Sequence, residues 1–469
     1  MVELDTKQLE GKRVTVVGLA RSGAAAAHLL QAAGAHVTVA DRKDRAELRG
    51  VLSTIEKSPV EVVLGSNYET ALTTAELVVI SPGVPYRTEA LECVRRRGVK
   101  VISELDLASR FMPVPILALT GTNGKSTTVT LIGKMLQACG RQVFVGGNLG
   151  TAFSEAAIQS LRAMREGRAC PYDAAVVEVS SFQLETVEQF HPWMAGILNV
   201  TVDHLDRYES IEEYIAAKKR IFENQTSSDL ALFNLDDPRV SALRHGVTAR
   251  TFGFTRRPPL PPDLAGGTYL EHGCIMTSMD GHRQEICPRQ ELKIIGDHNV
   301  ENAMAAATYA LLSGCSLDEV RRVLREFPGL EHALEMVRDR RGVRFINDSK
   351  GTNVDATVKA LYSIDQPIWL IAGGRDKGGD LSRLATAIQE RVKRLILIGE
   401  AAPLIADAVP NYRDVELVGS LREAVELAAE GASPGEVVLM SPACASFDMF
   451  ADYQDRGRQF KAAVQSLPA

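Results

Sequence analysis

Short apolar runs alternate with longer amphipathic stretches along most of the chain. The runs that predict strands are 12–17, 36–40, 77–80, 115–119, 174–179, 196–200, 343–346, 368–372, 395–398 and 437–440. Continuous apolarity is typical of strands that are buried on both faces of a parallel sheet, and the stretches between these runs have helical periodicity. The pattern therefore predicts an α/β fold.

The pattern restarts twice, after residue 103 and after a Phe-Pro-Gly break at 327–329. A length of 469 residues is also sufficient for about three domains. We predict a Rossmann-like N-terminal domain over 1–103, a central P-loop mononucleotide-binding domain with a parallel sheet over 104–329, and a Rossmann-like C-terminal domain over 330–469.

The turn after the fourth predicted strand carries two glycines and the pair Lys125 and Ser126. A strand, a glycine-rich turn and a helix N-terminus together form a phosphate site, in which backbone N–H groups and the helix dipole favour an anion. Gly121 and Gly124 give a compressed loop, because Leu119 stands where the standard pattern has its first glycine. We predict a phosphate site here rather than a plain turn.

The first strand leads into a glycine turn from Gly18 to Gly23, and the second strand is followed by Asp41. This is the beginning of a dinucleotide-type βαβ unit. Ala20 replaces the middle glycine of that fingerprint, so the glycines serve either a nucleotide or only the packing of helix on strand. A Ser-Pro-Gly turn at 81–83 follows the third strand, at the edge where open α/β sheets bind ligands. We predict that this domain binds a nucleotide-like group.

Three polar side chains follow buried strands of the central domain, namely Glu178, Asp203 and His204. They are predicted to lie at or just past strand ends, on the edge of the sheet that carries the phosphate loop. An isolated glutamate in a strand is usually a surface residue. Glu178, however, follows four apolar residues of a run that is buried on both faces, which favours a metal or ligand role.

A lysine interrupts the apolar face of the predicted helix 211–223. The other members of that face are Ile211, Tyr214, Ile215 and Phe222. Lys218 lies in the middle of this stripe and has two interpretations. Either its stem packs while its ammonium group reaches water, or its buried amine is neutral and takes up CO₂ to form a carbamate that binds a divalent cation. Periodicity alone leaves both open.

Two further clusters of polar residues are candidates for ligand binding. Asn299 and Asn302 share a face near the N-terminus of an Ala-rich helix, where they either cap the helix or hydrogen-bond a base edge. In the third domain, polar residues follow three strand ends, and two of these clusters contain a lysine, Lys350 and Lys377. A basic cluster at strand ends favours an anionic substrate.

Composition excludes several classes of protein. Hydrophobic residues make up 45% and charged residues 24% of the chain, as in ordinary soluble globular proteins. The formal net charge of −6 and the lack of a basic block argue against a nucleic-acid-binding surface. No apolar run reaches the roughly 18 residues of a membrane span and no secretory signature is evident, so we expect a cytoplasmic protein. The seven cysteines are scattered without a C-x-x-C pair, which predicts reduced thiols and no structural zinc.

Six segments together resemble the Mur ligase family of peptidoglycan synthesis, and the resemblance covers essentially the whole chain. Four segments are general to the family: 120–126 (Thr-Gly-Thr-Asn-Gly-Lys-Ser), 178–185 (Glu-Val-Ser-Ser-Phe-Gln-Leu-Glu), 198–208 (Leu-Asn-Val-Thr-Val-Asp-His-Leu-Asp-Arg-Tyr) and 216–218 (Ala-Ala-Lys). Two resemble the branch that adds D-glutamate: 347–353 (Asn-Asp-Ser-Lys-Gly-Thr-Asn) and 441–448 (Ser-Pro-Ala-Cys-Ala-Ser-Phe-Asp). The Asp-Asn-Pro-Arg motif of the branch that adds diaminopimelate is absent.

The resemblance implies an ATP-dependent ligase. The carboxylate of UDP-N-acetylmuramoyl-L-alanine would attack the γ-phosphate of ATP, and the amine of D-glutamate would then attack the resulting acyl phosphate. By resemblance, the catalytic residues are Lys125, Glu178, His204 and Lys218. Two Mg²⁺ ions are implied, with Ser126, Glu178, His204 and the carbamate of Lys218 as ligands. No nucleic-acid or membrane partner is implied, and we expect a monomer.

The resemblance also assigns binding residues to each substrate. For ATP they are Gly121, Thr122, Asn123, Gly124, Lys125, Ser126, Thr127, Asn299, Asn302, Asp348 and Lys377. For the UDP-linked substrate they are Gly18, Ser22, Gly23, Asp41, Arg42, Ser81, Gly83, Asn148, Ser180 and Gln183. For D-glutamate they are Lys350, Thr352, Ser446 and Phe447.

Other classes of protein explain part of the pattern. A nicotinamide oxidoreductase would account for residues 11–41, but it needs the glycine that Ala20 replaces and leaves Lys125 without a function. A mechanical or signalling NTPase would account for the phosphate loop, and it hydrolyses ATP without an amino-acid acceptor. A related Mur-type or folylpolyglutamate-type ligase with a different acceptor is the alternative among ligases, although the folylpolyglutamate type would not carry a UDP-type first domain.

Ala333 stands where the family usually has an arginine that reaches toward the ATP phosphates. One cation of the phosphate clamp is therefore missing, and Arg338, Arg375 and Lys377 are the candidates to replace it. We expect Ala333→Arg to leave turnover unchanged or to raise it, because the variant restores positive charge at a phosphoryl-transfer site. Steady-state ADP release by the two proteins measures the effect. A large fall in the activity of a correctly folded variant would contradict the alignment.

Overall fold

The structure is a computed structural model that describes residues 6–56, 58–148, 150–203, 207–410, 412 and 414–468. It contains three separate sheets with helices between the strands, which confirms the predicted three-domain α/β class. The chain divides into two compact units. The first unit comprises Met1–Val200, Glu212–Pro288 and Asn302–Val323, and the second unit comprises Thr201–Ile211, Arg289–Glu301 and Leu324–Ala469. The three domain boundaries stay a prediction.

The first sheet is formed by the N-terminal region. Its strands are β1 (Arg13–Val17), β2 (His36–Asp41), β3 (Glu61–Leu64), β4 (Leu77–Ile80) and β5 (Lys100–Ser103). Its helices are α1 (Thr6–Leu9), α2 (Arg21–Ala32), α3 (Arg49–Ile55), α4 (Glu89–Arg96) and α5 (Glu104–Ser109), and Gly65–Leu72 is a 3₁₀ helix. The strands are all parallel in the order β3-β2-β1-β4-β5, so the strand order reverses between β1 and β4. Ligands bind at such a switch point in open α/β sheets.

The second sheet has nine strands. They are β6 (Ile116–Thr120), β7 (Val143–Gly147), β8 (Ala174–Glu178), β9 (Met194–Ile197), β10 (Leu230–Asn234), β11 (Arg250–Thr255), β12 (Gly266–Glu271), β13 (Cys274–Met279) and β14 (His282–Pro288). Their order is β14-β13-β12-β11-β10-β9-β6-β8-β7, with antiparallel pairing only among β12, β13 and β14. Strand β6 lies between β8 and β9, so the residues that follow these three strands meet at one edge.

The helices of the central region carry the predicted phosphate loop and the buried lysine. They are α6 (Lys125–Ala138), α7 (Phe153–Arg165), α8 (Ser181–Leu184), α9 (Ile211–Lys219), α10 (Pro238–Leu243), α11 (Asp297–Leu312) and α12 (Leu317–Glu326). Short 3₁₀ helices are Arg220–Phe222, Arg244–Gly246 and Arg289–Glu291. The predicted helix 211–223 is thus α-helical only to Lys219 and continues as one 3₁₀ turn.

The third sheet is formed by the C-terminal region. Its strands are β15 (Glu335–Arg340), β16 (Val343–Asn347), β17 (Ile368–Gly373), β18 (Val392–Ile398), β19 (Val415–Leu417) and β20 (Val437–Met440). Its helices are α13 (Val354–Tyr362), α14 (Leu381–Arg391), α15 (Ala402–Ala408), α16 (Leu421–Gly431) and α17 (Tyr453–Ser466). The order is β15-β16-β20-β17-β18-β19, and only β15 is antiparallel to its neighbour. Neighbouring β16 and β20 bring the loops 347–353 and 441–448 together.

Burial explains why the strands could be predicted from continuous apolar runs. Every residue of β4, β6, β8, β17 and β20 is buried, as helices on both faces of a parallel sheet require. No helix in the described ranges is long and apolar enough to cross a membrane. The prediction of reduced thiols is wrong for one pair, because Cys139 and Cys315 are joined as a disulfide.

Candidate active site

The phosphate loop predicted after β6 is present, and two of its glycines are required by the backbone. Gly121 has φ +154° and Gly124 has φ +85°, and residues other than glycine rarely adopt such angles. Gly124 is also the N-cap of α6. A Cβ at Gly124 would lie 2.3 Å from Oδ1 of Asn302, so the side chain of Asn302 packs directly against the loop. The N–H groups of the first turn of α6 follow this loop, as an anion site requires.

Two lysines converge on one carbonyl of this loop. The Nζ of Lys125 donates to the carbonyl oxygens of Gly121 and Thr122, each at 2.8 Å. The Nζ of Lys218 donates to the same Gly121 oxygen at 3.1 Å and lies 4.4 Å from the centre of the Tyr214 ring. Lys218 is only 1% exposed, so the interpretation in which its head reaches water is wrong. Both amines therefore face the phosphate loop.

Asn199 holds the loop in place and was missed as a site residue. Its Oδ1 accepts from the backbone N–H of Asn123 at 2.8 Å, and its Nδ2 donates to the carbonyl of Asn123 at 3.0 Å. The carbonyl of Asn199 accepts from the N–H of Thr122 at 3.0 Å. Asn199 follows β9, the neighbour of β6, so an amide just past a buried strand was the available signal.

Glu178 connects the phosphate loop to a second predicted site. It is the last residue of β8 and is 2% exposed. Its Oε2 accepts from Oγ of Ser126 at 2.7 Å, and its Oε1 accepts from Nδ2 of Asn148 at 2.8 Å. Ser126 was predicted for ATP and magnesium, and Asn148 for the UDP-linked substrate. The structure therefore brings together residues that were assigned to different ligands.

A cavity of about 470 Å³ lies at the switch point of the first sheet. Its lining residues are Val17, Gly18, Leu19, Ala20, Arg21, Ser22, Asp41, Arg42, Lys43, Leu48, Tyr68, Ser81, Pro82, Gly83, Val84, Pro85, Thr88, Asn148 and Gln183. The predicted residues for the UDP-linked substrate are all among them, except Gly23 and Ser180. Lys43 and Tyr68 were missed, because neither the turn pattern nor the strand ends single them out, and Arg21 lies within the predicted Gly18 to Gly23 turn without having been named as a binding residue. Three basic side chains against Asp41 make this lining suitable for an anionic ligand.

The loops around the cavity are tied to one another by side chains that were predicted to bind ligand. Oδ2 of Asp41 accepts from the N–H of Leu19 at 2.6 Å, and Oδ1 accepts from the N–H of Lys43 at 2.9 Å. Oγ of Ser81 donates to the carbonyl of Gly18 at 2.6 Å. A Cβ at Gly23 would lie 2.0 Å from that same carbonyl oxygen, so Gly23 serves packing in the turn.

Ser180 and Gln183 form the capping box of the short helix α8. The N–H of Gln183 donates to Oγ of Ser180 at 3.3 Å, and Oε1 of Gln183 accepts from the N–H of Ser180 at 3.0 Å. This reciprocal pair satisfies the first N–H groups of the helix. Ser180 therefore has a structural role here, whereas Gln183 both caps the helix and lines the cavity.

In the second unit, the predicted D-glutamate residues lie on loops that follow β16 and β20. The N–H of Ala443 donates to the carbonyl of Gly351 at 3.0 Å, which joins the two loops. Nζ of Lys350 lies 4.9 Å from the centre of the Tyr453 ring and 3.5 Å from its hydroxyl. Tyr453 begins α17 and was missed, since nothing in the sequence links it to Lys350. Thr352 is half-buried on the same loop.

Arg456 holds both of these loops from one side. It is fully buried, and its guanidinium donates to Oγ and to the carbonyl of Ser349 at 3.0 and 2.9 Å and to the carbonyl of Cys444 at 3.2 Å. Ser446 is buried on the second loop, whereas the side chain of Phe447 is 64% exposed. The ligand contacts of Ser446 and Phe447 stay predictions.

The remaining predicted residues are distributed over both units. His204 lies outside the described residues. Asp203 is in the second unit, where its Oδ2 accepts from Nδ2 of Asn353 at 3.0 Å. Asn299 donates to the carbonyl of Ile295 at 2.7 Å and is inside α11, so it is not an N-cap. Thr127 is on the first turn of α6. The binding roles of these residues stay predictions.

The three proposed substitutes for the missing arginine differ in their partners. Arg338 donates to the carbonyls of Val464 and Leu467 at 3.1 and 2.9 Å. Arg375 forms a bidentate pair with Glu400 at 3.0 and 2.9 Å. Lys377 has neither an ion pair nor a side-chain hydrogen bond among the described residues, which makes it the preferred candidate of the three.

Relatives of known name match the chain over nearly its full length. Those from Geobacter metallireducens and Geotalea uraniireducens are each 45% identical over 460 residues, which cover 98% of this chain and 98% of theirs. That from Caldanaerobacter subterraneus subsp. tengcongensis is 41% identical over 464 residues, 98% of this chain and 99% of its own. All three are named UDP-N-acetylmuramoylalanine–D-glutamate ligase.

The chain belongs to the Mur ligase family. Residues 12–103 match the MurD-like N-terminal domain of Mur ligases, 119–310 the Mur ligase middle domain, and 334–444 the glutamate ligase domain of Mur ligases. Membership in this family excludes the nicotinamide oxidoreductase and the signalling NTPase as interpretations of the whole chain.

Solved Mur ligase-like structures have the same fold. A pseudomurein peptide ligase type C from Methanothermus fervidus superposes with a TM-score of 0.61 at 19% identity, covering 98% of this chain and 100% of its own. The UDP-N-acetylmuramate-alanine ligase MurC from Thermotoga maritima gives 0.58 at 20% identity, covering 97% and 99%. At this level of identity the likeness concerns the fold of the Mur ligases alone.

Asp348 is a buried residue of the first of the two C-terminal loops. Its Oδ2 accepts from Oγ of Ser441 at 2.7 Å, and its Oδ1 accepts from the N–H of Leu334 at 3.1 Å. Loss of solvation nevertheless raises the pKa of Asp348 from 3.8 to about 7. The folded chain thus binds a proton that the unfolded chain has lost, so this group stabilises the fold most at low pH and loses that contribution as pH rises from about 4 to about 7.

We therefore expect Asp348→Asn to change the pH dependence of stability. The free energy of unfolding of the unmodified chain, measured against Asp348→Asn, should fall as pH is raised from 5 to 7, by at most roughly 1.4 kcal/mol per pH unit. Denaturation followed by tryptophan fluorescence measures the free energy of unfolding, since Trp369 lies in β17, in the sheet that also contains β16, the strand before Asp348. Asp365→Asn, at an exposed position, is the matched control. Parallel pH profiles for the chain and Asp348→Asn would contradict the expectation.

Proposed function

We propose that this chain is an ATP-dependent ligase that joins D-glutamate to UDP-N-acetylmuramoyl-L-alanine through an acyl phosphate. Identity of 41 to 45% over 98% of the chain to ligases of that name supports the choice of substrates. The segments 347–353 and 441–448, which resemble the D-glutamate-adding branch, support the choice of acceptor.

The position of Glu178 is the observation that carries the proposal. Its carboxylate contacts Ser126 of the phosphate loop through one oxygen and Asn148 of the cavity through the other. An acyl phosphate forms only when a substrate carboxylate reaches the γ-phosphate of ATP in line. A UDP-linked substrate in the cavity, extended toward Asn148, would present its carboxylate next to the phosphate loop.

The chain's own cations would stabilise the charge that moves in this step. Phosphoryl transfer between two anions depends on positioning and on charge neutralisation more than on covalent help. Lys125 supplies one such cation, since its Nζ lies 2.8 Å from the carbonyl oxygen of Gly121 in the loop that leads into α6. Arg21, Arg42 and Lys43 would counter the diphosphate in the cavity.

Magnesium fits the residues at this edge. Carboxylate and hydroxyl oxygens are the protein ligands that Mg²⁺ prefers, and Ser126 and Glu178 offer both at 2.7 Å from each other. We propose these two residues, with His204 and a carbamate on Lys218, as ligands of two ions. When bound, the ions would neutralise phosphate charge and orient the reacting oxygens.

D-glutamate would bind in the second unit. Lys350 would pair with a carboxylate of the amino acid. The ring and hydroxyl of Tyr453 lie next to Nζ of Lys350 and would hold it in position. The amine of D-glutamate then attacks the acyl carbon, the carbon–oxygen bond to phosphate breaks, and the amide forms with loss of one proton. Asp348, through Ser441 and Leu334, would keep the loop of Lys350 in shape.

We propose that the reaction belongs to the cytoplasmic stage of peptidoglycan precursor synthesis, on which cell shape and cell division depend. The substrates are nucleotide-linked or free small molecules, which suits this stage. We also propose that the chain acts as a monomer.

The choice of acceptor is tested by ADP release with UDP-N-acetylmuramoyl-L-alanine and a panel of amino acids. We expect release with D-glutamate and at least 100-fold less with L-glutamate, D-aspartate or meso-diaminopimelate, because one pocket must fit both carboxylates and one configuration. Omission of either co-substrate should abolish release. Equal release without an acceptor would support an NTPase, and preference for another amino acid would reject D-glutamate.

The carbamate is tested by Lys218→Ala. We expect at least a 100-fold loss of turnover with partial recovery in acetate or formate, because a short carboxylate can replace the carbamate in the space that the side chain leaves. Lys219→Ala is the matched control, since Lys219 is the exposed neighbour on α9. Independently of activity, ¹³C-bicarbonate should give a carbamate NMR signal in the unmodified chain that Lys218→Ala lacks. Full activity of Lys218→Ala without added carboxylate would reject the role.

A further inference from the structure

The disulfide between Cys139 and Cys315 lies outside the proposed reaction and joins two helices of the first unit. Cys139 ends α6, the helix that begins at the phosphate loop, and Cys315 follows α11, the helix that carries Asn302. The two Cα atoms are 5.8 Å apart, inside the usual range for a disulfide. The other cysteines of the described ranges, at 93, 170, 274, 287 and 444, form no disulfide.

The contact between these helix ends does not depend on the disulfide. The guanidinium of Arg141 donates to the carbonyl of Ser313. The N–H of Cys315 donates to the carbonyl of Ala310 at 3.0 Å, which closes the end of α11. Backbone and side-chain bonds therefore hold both cysteines in place, and the sulphurs meet without a rearrangement of the fold.

The surroundings of the two sulphurs also suit free thiols. The carbonyl oxygen of Met135 lies 3.0 Å from Sγ of Cys139 and 3.6 Å from Sγ of Cys315. Oε2 of Glu319 lies 3.2 Å from Sγ of Cys139. Both S–H groups therefore have acceptors in the reduced state. The pair can therefore exist as a disulfide or as two hydrogen-bonded thiols, as reversible oxidation requires.

We propose that Cys139 and Cys315 are a redox modification site that is oxidised by small disulfides and stabilises the first unit without changing the ligase reaction. Cys139 is partly exposed and Cys315 is 6% exposed, so the oxidant reaches Cys139 first. In compartments that keep thiols reduced, disulfides are transient and redox-sensing rather than permanent. The geometry of Cys139 and Cys315 supports this site whatever the substrates of the ligase are.

The chemistry is a thiol–disulfide exchange in two steps. The thiolate of Cys139 attacks one sulphur of a low-molecular-weight disulfide, which forms a mixed disulfide and releases one small thiol. The sulphur of Cys315, after loss of its proton, then attacks Sγ of Cys139 and releases the second small thiol. The protein loses two electrons and two protons, and the oxidant gains both.

The effect on the protein follows from where the bond lies. It closes a loop between residues 176 positions apart, which restricts the unfolded chain strongly. At 1.5 Å per residue, the 14 residues of α6 place the disulfide about 20 Å from Lys125. Oxidation should therefore raise resistance to unfolding and leave the phosphate loop unchanged.

The test compares the purified chain after treatment with oxidised glutathione and after dithiothreitol. Alkylation in denaturant and peptide mapping should show Cys139 linked to Cys315 in the first sample and both alkylated in the second. The melting temperature of the oxidised chain should be higher by roughly 5 °C, with ADP release within twofold.

Two variants separate this site from general thiol oxidation. Cys139→Ser should melt at one temperature in both conditions, whereas Cys93→Ser, which removes an exposed cysteine elsewhere, should respond as the unmodified chain does. The proposal is overturned if Cys139 and Cys315 remain alkylatable after oxidation, or if the linked and reduced chains melt at the same temperature.

Discussion

The buried carboxylate of Glu178 is the interaction on which the arrangement of the first unit depends. A carboxylate that is 2% exposed needs hydrogen-bond donors for both oxygens, and it takes one from the phosphate loop and one from the loop after β7. The two loops belong to different crossovers of one sheet, and β8 lies between the strands that precede them. The hydrogen bonds of Glu178 thus hold the phosphate loop close to Asn148, which lines the cavity at the first sheet.

Most of the fold could be predicted from the sequence because the sheets are buried. Strands such as β6, β8 and β20 have no polar face, so their apolar runs were continuous and their bounds were predicted to within one or two residues. The antiparallel strands β12 to β14, which have many partly buried or exposed positions, were not recognised, and neither was β10, although each of its residues is buried. The phosphate loop was recognisable because its glycines and its lysine are local in sequence.

The candidate site could be predicted only where each residue follows its own strand. Ser126 follows β6 and Glu178 ends β8, whereas Asn148 was assigned only by resemblance, and the structure places Glu178 in contact with both of the others. Tyr453 and the cysteine pair act through neighbours far along the chain, which no local pattern encodes, whereas Asn199 follows β9 and its position was a signal that was not used. Ser180 shows that a polar residue at a strand end also has a local role, since it caps the next helix, and its contact with the substrate stays a prediction.

The carbonyl of Gly121 brings Lys125 and Lys218 together, which affects the charge at the phosphate loop. Two lysine amines share this one acceptor, and positive charges on both would repel each other. Conversion of one amine into an anion reverses the sign of that interaction, so that Lys125 gains an attractive neighbour in place of a competitor. The carbamate proposed for Lys218 would then be a counter-ion of Lys125 within the phosphate loop.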